Sequence, residues 1–164
     1  MAARKDPYRS LKDAFGRYAT GVALAGCIGK AGAPVVITVN SFTSVSLKPP
    51  LVLWCIENTT WSFPHFMAAD AYSIAILMAE QQAVSERFAD HSPKPLAPDE
   101  YEIWETGAPI FKHRLAAFDC RVKDRHRAGD HVILIAEVVK FDARTGRPLL
   151  YFASDYDKGP EAAP

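Results

Sequence analysis

Four hydroxyl side chains crowd the six residues Ser41 to Ser46 (SFTSVS), and Thr38 and Asn40 stand just before them. Such a run offers donors and acceptors along one rim. That suits the edge of a planar heterocycle with carbonyls and ring nitrogens, or a sugar–phosphate chain. The plainer alternative is a Ser/Thr-rich turn that satisfies its own backbone. Arg87, in Ser85-Glu86-Arg87-Phe88-Ala89, closes a helical stretch, where a guanidinium can clamp a phosphate with two parallel hydrogen bonds. A solvated helix arginine is the competing explanation. Gly129-Asp130-His131 reads as a turn that opens a long strand. It would set the His131 ring at a barrel mouth, to stack on or hydrogen-bond with a substrate, or simply leave it on the surface. Tyr156 lies beyond the last strand and either reaches the same region or pins the tail.

Other chemistries lack their residues. No GxGxxG follows a strand, and no Walker loop, HExxH or GxSxG occurs. Gly21, Gly26 and Gly29 are spaced wrongly for a dinucleotide fold, so any nicotinamide nucleotide is held in another way. The five histidines never pair with a carboxylate at ligand spacing on one helix, and no metal site is expected. Lys+Arg and Asp+Glu are both 19, so the surplus of positive charge that a sequence-independent nucleic-acid binder needs is missing. Three widely spaced cysteines, Cys27, Cys55 and Cys120, without a CxxC, read as reduced thiols in or near a core. No apolar run nears the ~20 residues of a membrane span. Met1 to Pro7 has no apolar stretch behind it and does not read as a secretory signal. A cytoplasmic location is the expectation.

The elements that must position these groups are mostly strands. Asp6 and Pro7 suit the start of a helix whose face carries Leu11, Phe15 and Tyr18, with Gly21 as its stop. Val22–Ile28 and Pro34–Asn40 read as a hairpin. Pro49-Pro50 launches the strand Leu51–Glu57. A short helix over Phe63–Ala69, a strand over Tyr72–Leu77 and a helix over Glu80–Ala89 follow. Pro93, Pro95 and Pro98 mark residues 90–100 as a long loop. Phe118, Cys120 and Val122 alternate with Asp119, Arg121 and Lys123, the pattern of a half-exposed strand. His131–Phe141 does not alternate, which predicts cover on both faces, and Gly146 turns the chain into Leu149–Phe152. The polar tail from Asp157, ending Pro-Glu-Ala-Ala-Pro, is expected to fray. About six or seven strands and three short helices, with strands following one another directly, predict one mainly β domain over residues 1–164. Its core, about residues 8–156, would be an antiparallel barrel with helices at its ends.

Taken together, these motifs resemble the flavin reductase-like domain, the small reductase component of two-component flavin monooxygenases. The carriers are Phe15 to Val22 (FGRYATGV), Thr38 to Ser46 (TVNSFTSVS) with Pro49-Pro50-Leu51-Val52, and Ser85 to Ala89 (SERFA). Gly107-Ala108-Pro109-Ile110, Gly129-Asp130-His131 and Pro148-Leu149-Leu150-Tyr151 follow in order. The resemblance implies a split β-barrel of Greek-key topology, a homodimer, and FMN (or FAD) in a groove near the dimer interface. It also implies hydride transfer from a nicotinamide nucleotide laid flat on the flavin, and a monooxygenase supplied with reduced flavin by diffusion. Position by position, it assigns Thr38, Val39, Asn40 and Ser41 to the flavin ring and ribityl chain, with Ser44 and Ser46 in the same block. Cys55 would lend its backbone. Thr60, Ser62 and Arg87 would meet the phosphate and ribityl groups, with Phe88 beside them. His131 becomes the catalytic, nicotinamide-side histidine and Tyr156 its aromatic neighbour. Asp155 departs from the family's Gly or basic residue before that tyrosine, and its charge favours NADH over NADPH. A non-catalytic flavin- or haem-binding barrel for storage or sensing is the alternative. Pyridoxamine-phosphate oxidases share the barrel but lack the TVNSFTSVS block.

Overall fold

The computed structural model describes residues 6–160. The fraying expected from Asp157 onward does not hold over its first residues: Asp157 and Lys158 belong to a strand, and the buried Gly159 donates its N–H to the Pro148 carbonyl at 2.8 Å, while residues 161–164 lie outside the described residues. The chain runs α1 (Arg9–Phe15), β1 (Thr20–Gly21), β2 (Ala23–Ile28), β3 (Pro34–Val39), β4 (Thr43–Leu47) and β5 (Pro50–Glu57). It continues through α2 (Phe63–Ala68), β6 (Ala71–Ile76), α3 (Gln82–Ala89), β7 (Tyr101–Ile103) and β8 (Pro109–Phe111). The last elements are β9 (Ala116–Ala128), β10 (His131–Ala143), β11 (Leu149–Phe152) and β12 (Asp155–Lys158).

Seven strands form one antiparallel sheet in the order β3-β2-β6-β9-β10-β5-β4. The sheet curls around an apolar interior but does not close, because its outer strands, β3 and β4, are not paired with each other. This is the predicted split barrel. Trp54, fully buried, fills the interior, with Phe66 and Tyr72 against its edges at ring-centroid distances of 4.9 and 5.8 Å. Phe66 comes from α2, whose Pro64 sits in the first turn, where its missing N–H has no helical partner to lose. A second apolar cluster lies outside β2, β3 and β6, joining Leu24, Val36 and Ala75 to Phe88 of α3, Leu96, Phe111 and Leu149.

Several expectations need correction. Helix α1 ends at Phe15, and Gly21 lies instead in β1, paired with Leu150 of β11. No residue of α1 is buried, and its apolar face, with Leu11 and Phe15, is solvent-facing. There are twelve strands among the described residues rather than six or seven. Those missed are short (β1, β7, β8), polar (β12) or built of hydroxyl residues on a sheet edge (β4), so none carries an apolar alternation. In β9 the predicted exposed position Asp119 is fully buried, its carboxylate accepting the Thr106 N–H at 2.9 Å and the Thr106 hydroxyl. In β10, Val132, Leu134 and Ala136 are buried while Ile133 and Ile135 are half-buried; the strands covered on both faces include β2, β6 and β8.

Because Trp54 fills the barrel centre, Trp54→Ala is expected to destabilise the fold by about 3–5 kcal/mol. Chemical denaturation read by circular dichroism checks this.

Candidate functional site

The outer strands β3 and β4 are consecutive in the chain, so the backbone crosses the split through Asn40, Ser41 and Phe42. Two contacts pin that crossing. The Ser41 hydroxyl accepts the Cys55 N–H at 2.9 Å and donates to the Cys55 carbonyl at 3.2 Å. One side chain thus takes the place of a ladder residue beyond the Thr43–Leu53 pair. Phe42 stacks on Phe118, with ring centroids 5.5 Å apart. Asn40 is left exposed, and its carboxamide has no hydrogen-bond partner among the described residues.

A furrow follows this seam. Its widest part, about 860 Å³, lies between the end of α1 (Phe15, Tyr18) with Thr20 on one side and Asn40 to Thr43 on the other. Tyr151 and Ser154 close it. Asn40 and Tyr151 also line an adjoining space of about 190 Å³ that adds Thr38, Val39, Ser85 and Tyr156. Thr38 and Ala89 carry the furrow onward into about 160 Å³ beside Thr60, Trp61 and His91. The β11–β12 turn shapes its rim: Ala153 (φ 52°) and Ser154 (φ 66°) both take the left-handed conformation that two-residue hairpin turns demand. That costs a non-glycine residue roughly 1–2 kcal/mol. The Ala153 N–H donates to the Gly16 carbonyl at 2.8 Å, which fixes the turn against the end of α1.

A flavin ring presents carbonyls, a ring N–H and an apolar edge. The furrow answers with aromatic walls, the unpaired outer edge of β3, the free Asn40 carboxamide, and the buried Thr20 hydroxyl, which has no partner. These residues fit such a group.

The sequence model of the flavin reductase like domain matches residues 15–160. The chain belongs to this family. It is 38% identical to the FMN reductase (NADH) SmoA of Agrobacterium fabrum over 143 residues, 87% of this chain and 81% of that protein. Nitrilotriacetate monooxygenase component B from Mycobacterium thermoresistibile superposes with a TM-score of 0.85 at 33% identity, covering 92% of this chain and 85% of that one. The Streptomyces globisporus NADH:FAD oxidoreductase SgcE6, solved with NAD and FAD fragments, superposes with a TM-score of 0.85 at 30% identity, covering 95% and 96%. Against a Rhizobium meliloti relative, 40% identical over 137 residues, this chain spans only 44% of the relative's length.

The residues that the flavin reductase resemblance singles out divide into two groups. Thr38, Val39, Asn40, Ser41, Thr60, Phe88 and Tyr156 line the furrow. The Thr38 hydroxyl donates to the Ser85 carbonyl at 2.7 Å, and the Tyr156 and Ser85 hydroxyls meet at 2.9 Å, so α3 and β12 are tied to the furrow wall. The others stand apart. Ser44 and Ser46 lie on β4, Ser44 exposed and Ser46 half-buried with its hydroxyl accepting the Lys48 N–H. Both backbone groups of Cys55 are taken up by Ser41. Ser62 is sealed from solvent with an unpartnered hydroxyl. Arg87 turns to the loop, its guanidinium forked onto Glu100 at 2.6 and 3.0 Å and onto the Pro95 carbonyl. Glu100's hydrogen bonds lift Arg87 above its ordinary value, and Arg87 holds Glu100 below the usual carboxylate range. His131 lies at the β9–β10 turn, opposite Glu57, with Nδ1 on Asp130 at 2.8 Å. That hydrogen bond lowers Asp130. Burial pushes Cys27 up to about 12 and raises Cys55 and Cys120. All three thiols are free and protonated near neutral pH, and none is poised as a nucleophile.

Sequence reasoning missed Thr20, Phe42, Tyr151, Ser154, Trp61 and His91 as furrow residues. Only Thr20, Phe42 and Tyr151 fall inside quoted motifs. Among the described residues there is no cluster of three or more potential metal ligands, and no helix is long and apolar enough to cross a membrane.

Ser41→Ala strips two backbone groups of their partner at the seam. It should cost about 1–3 kcal/mol, whereas Ser44→Ala should be near neutral. Thermal melts of the two variants side by side check this.

Proposed function

We propose that this chain is an NADH-dependent flavin reductase that binds flavin along the β3 seam and supplies reduced flavin to a monooxygenase by diffusion. The observation that carries the reading is the furrow at the split, where the free Asn40 carboxamide, the unpartnered Thr20 hydroxyl and the open β3 edge converge. Flavin, when bound there, supplies the two-electron chemistry. The chain's own work is orientation. Asn40 and the β3 edge meet the polar rim of the ring, and Thr38 and Val39 flank the ribityl chain. Ser41 acts by holding the crossing in place. Tyr151 and Tyr156, packed edge to face at 5.2 Å, wall the nicotinamide side. His131, its Nδ1 on Asp130 at 2.8 Å, stands apart from this furrow at the β9–β10 turn, and its place at the nicotinamide rests on the family resemblance. No strong acid or base is needed for a hydride transfer. Asp155, exposed beside the Ser154 turn, disfavours the extra phosphate of NADPH.

The same reading extends to assembly and location. Leu47 is 88% exposed and Val45 48% exposed on β4, next to the half-buried face of Leu51, Leu53, Ile133 and Ile135. A second copy of the chain would cover this face, which supports a homodimer. The three free thiols suit the cytoplasm.

Three measurements test the proposal. Purified protein should oxidise NADH only when flavin is added, and anaerobic NADH should bleach the flavin absorbance. Absence of flavin-dependent NADH consumption would overturn it. Asn40→Ala should weaken flavin binding by about 1–3 kcal/mol, read by fluorescence titration. His131→Ala should raise the NADH KM several-fold while leaving flavin affinity unchanged, read by steady-state kinetics.

A further inference from the structure

We propose that the far end of the furrow is an adenosine subsite built on Trp61 and His91, so that this chain takes FAD in preference to FMN. The inference rests on the flavin reading and names which flavin that site favours.

Charge is the first ground. If the ring lies at Asn40, the phosphate end of the ligand runs along β3 towards Ile37, about 10 Å away at ~3.3 Å per residue. There the furrow opens into the space beside Thr59, Thr60, Trp61 and His91. A phosphate monoester such as that of FMN carries about −1.5 to −2 charges at neutral pH and calls for a free cation. Among the described residues, no lysine or arginine lines this end. Arg87 is committed to Glu100 and the Pro95 carbonyl. Lys94 is paired with Asp90 at 2.8 Å, and Asp90 itself stands in the lining with its own negative charge. A terminal dianion gains little here.

Shape and hydrogen bonding are the second ground. The same space suits a flat, neutral, amphipathic ring. Trp61 is half-buried: part of it packs on the barrel core, and His65 meets it edge-on at 6.2 Å. Its indole N–H makes no hydrogen bond among the described residues, and neither does the His91 ring. Ile37 and Phe88 add apolar lining. The hydroxyls of Thr59 and Thr60 spend their protons on the Glu57 carboxylate and carbonyl, at 2.7 and 2.9 Å. Their oxygens are left as acceptors. Adenine presents a π face, an exocyclic amine that donates, and ring nitrogens that accept, which complements an indole, an imidazole and two hydroxyl oxygens. The diphosphate of FAD is also anionic, but it spreads its charge over two groups within the linker, and the adenine adds the contact that a missing cation does not supply.

The test compares riboflavin, FMN and FAD, each titrated in oxidised form into the full chain without nicotinamide and followed by flavin fluorescence. Base–aromatic stacking predicts FAD binding about tenfold or more tighter than FMN. FMN and riboflavin should agree within about threefold, because the terminal phosphate finds no cation. Trp61→Ala should abolish the FAD preference and leave riboflavin binding as it was; Trp61→Phe should keep most of it. His91→Ala should reduce it too, and serves where Trp61→Ala does not fold. FMN binding as tightly as FAD, or Trp61→Ala weakening all three ligands equally, overturns the subsite while leaving the flavin reading intact. If none of the three flavins binds, the reductase reading falls with it.

Discussion

One serine hydroxyl pins the crossing at the split. A barrel whose outer strands paired would have no seam. Here Ser41 satisfies the N–H and C=O of Cys55 from a side chain, so β5 needs no further partner at that point and β3 keeps its outer edge free. Buried or half-buried backbone groups must find partners. The fold meets that demand at the crossing without spending the β3 edge. Phe42, stacked on Phe118, anchors the next residue, and Asn40 is left to face the furrow.

The rest of the molecule stiffens the wall around that opening. β2 is buried on both faces, between the Trp54 cluster inside the barrel and the layer of α3 and β11 outside. α3 is tied to β3 by Thr38 and to β12 by the Ser85–Tyr156 hydroxyl pair. The β11–β12 turn accepts two left-handed non-glycine residues at the furrow rim. Such strain survives only where neighbours hold it, and the Ala153–Gly16 hydrogen bond does so. In contrast, α1 and β4 show apolar residues to solvent.

Much of this was legible in the residues. β-branched runs marked β3, β5 and β10, and the ordered motifs from Phe15 to Tyr151 pointed to the family and the split barrel. What escaped depended on tertiary context. The hydroxyl run SFTSVS read as one rim, but a bulge and the contacts of its members divide it: Ser41 turns to Cys55, Ser44 is exposed, and Ser46 is half-buried against the Lys48 N–H. The pairing of Arg87 with Glu100 was not legible, because Glu100 sits across a long proline-rich loop whose path no local pattern reveals. Asp119 fitted an exposed alternation, yet Thr106 from a distant loop buries it. Trp61 and His91 belong to different elements, and only the fold brings them to one end of the furrow.

Hydrogen exchange of the backbone amides, with and without saturating oxidised flavin, tests the location of the site most directly. The account predicts slowed exchange over residues 37–43 and around Tyr151–Tyr156, with β7 and β8, which line no part of the furrow, unchanged. Protection centred on β7 and β8, with the seam unaffected, would contradict it.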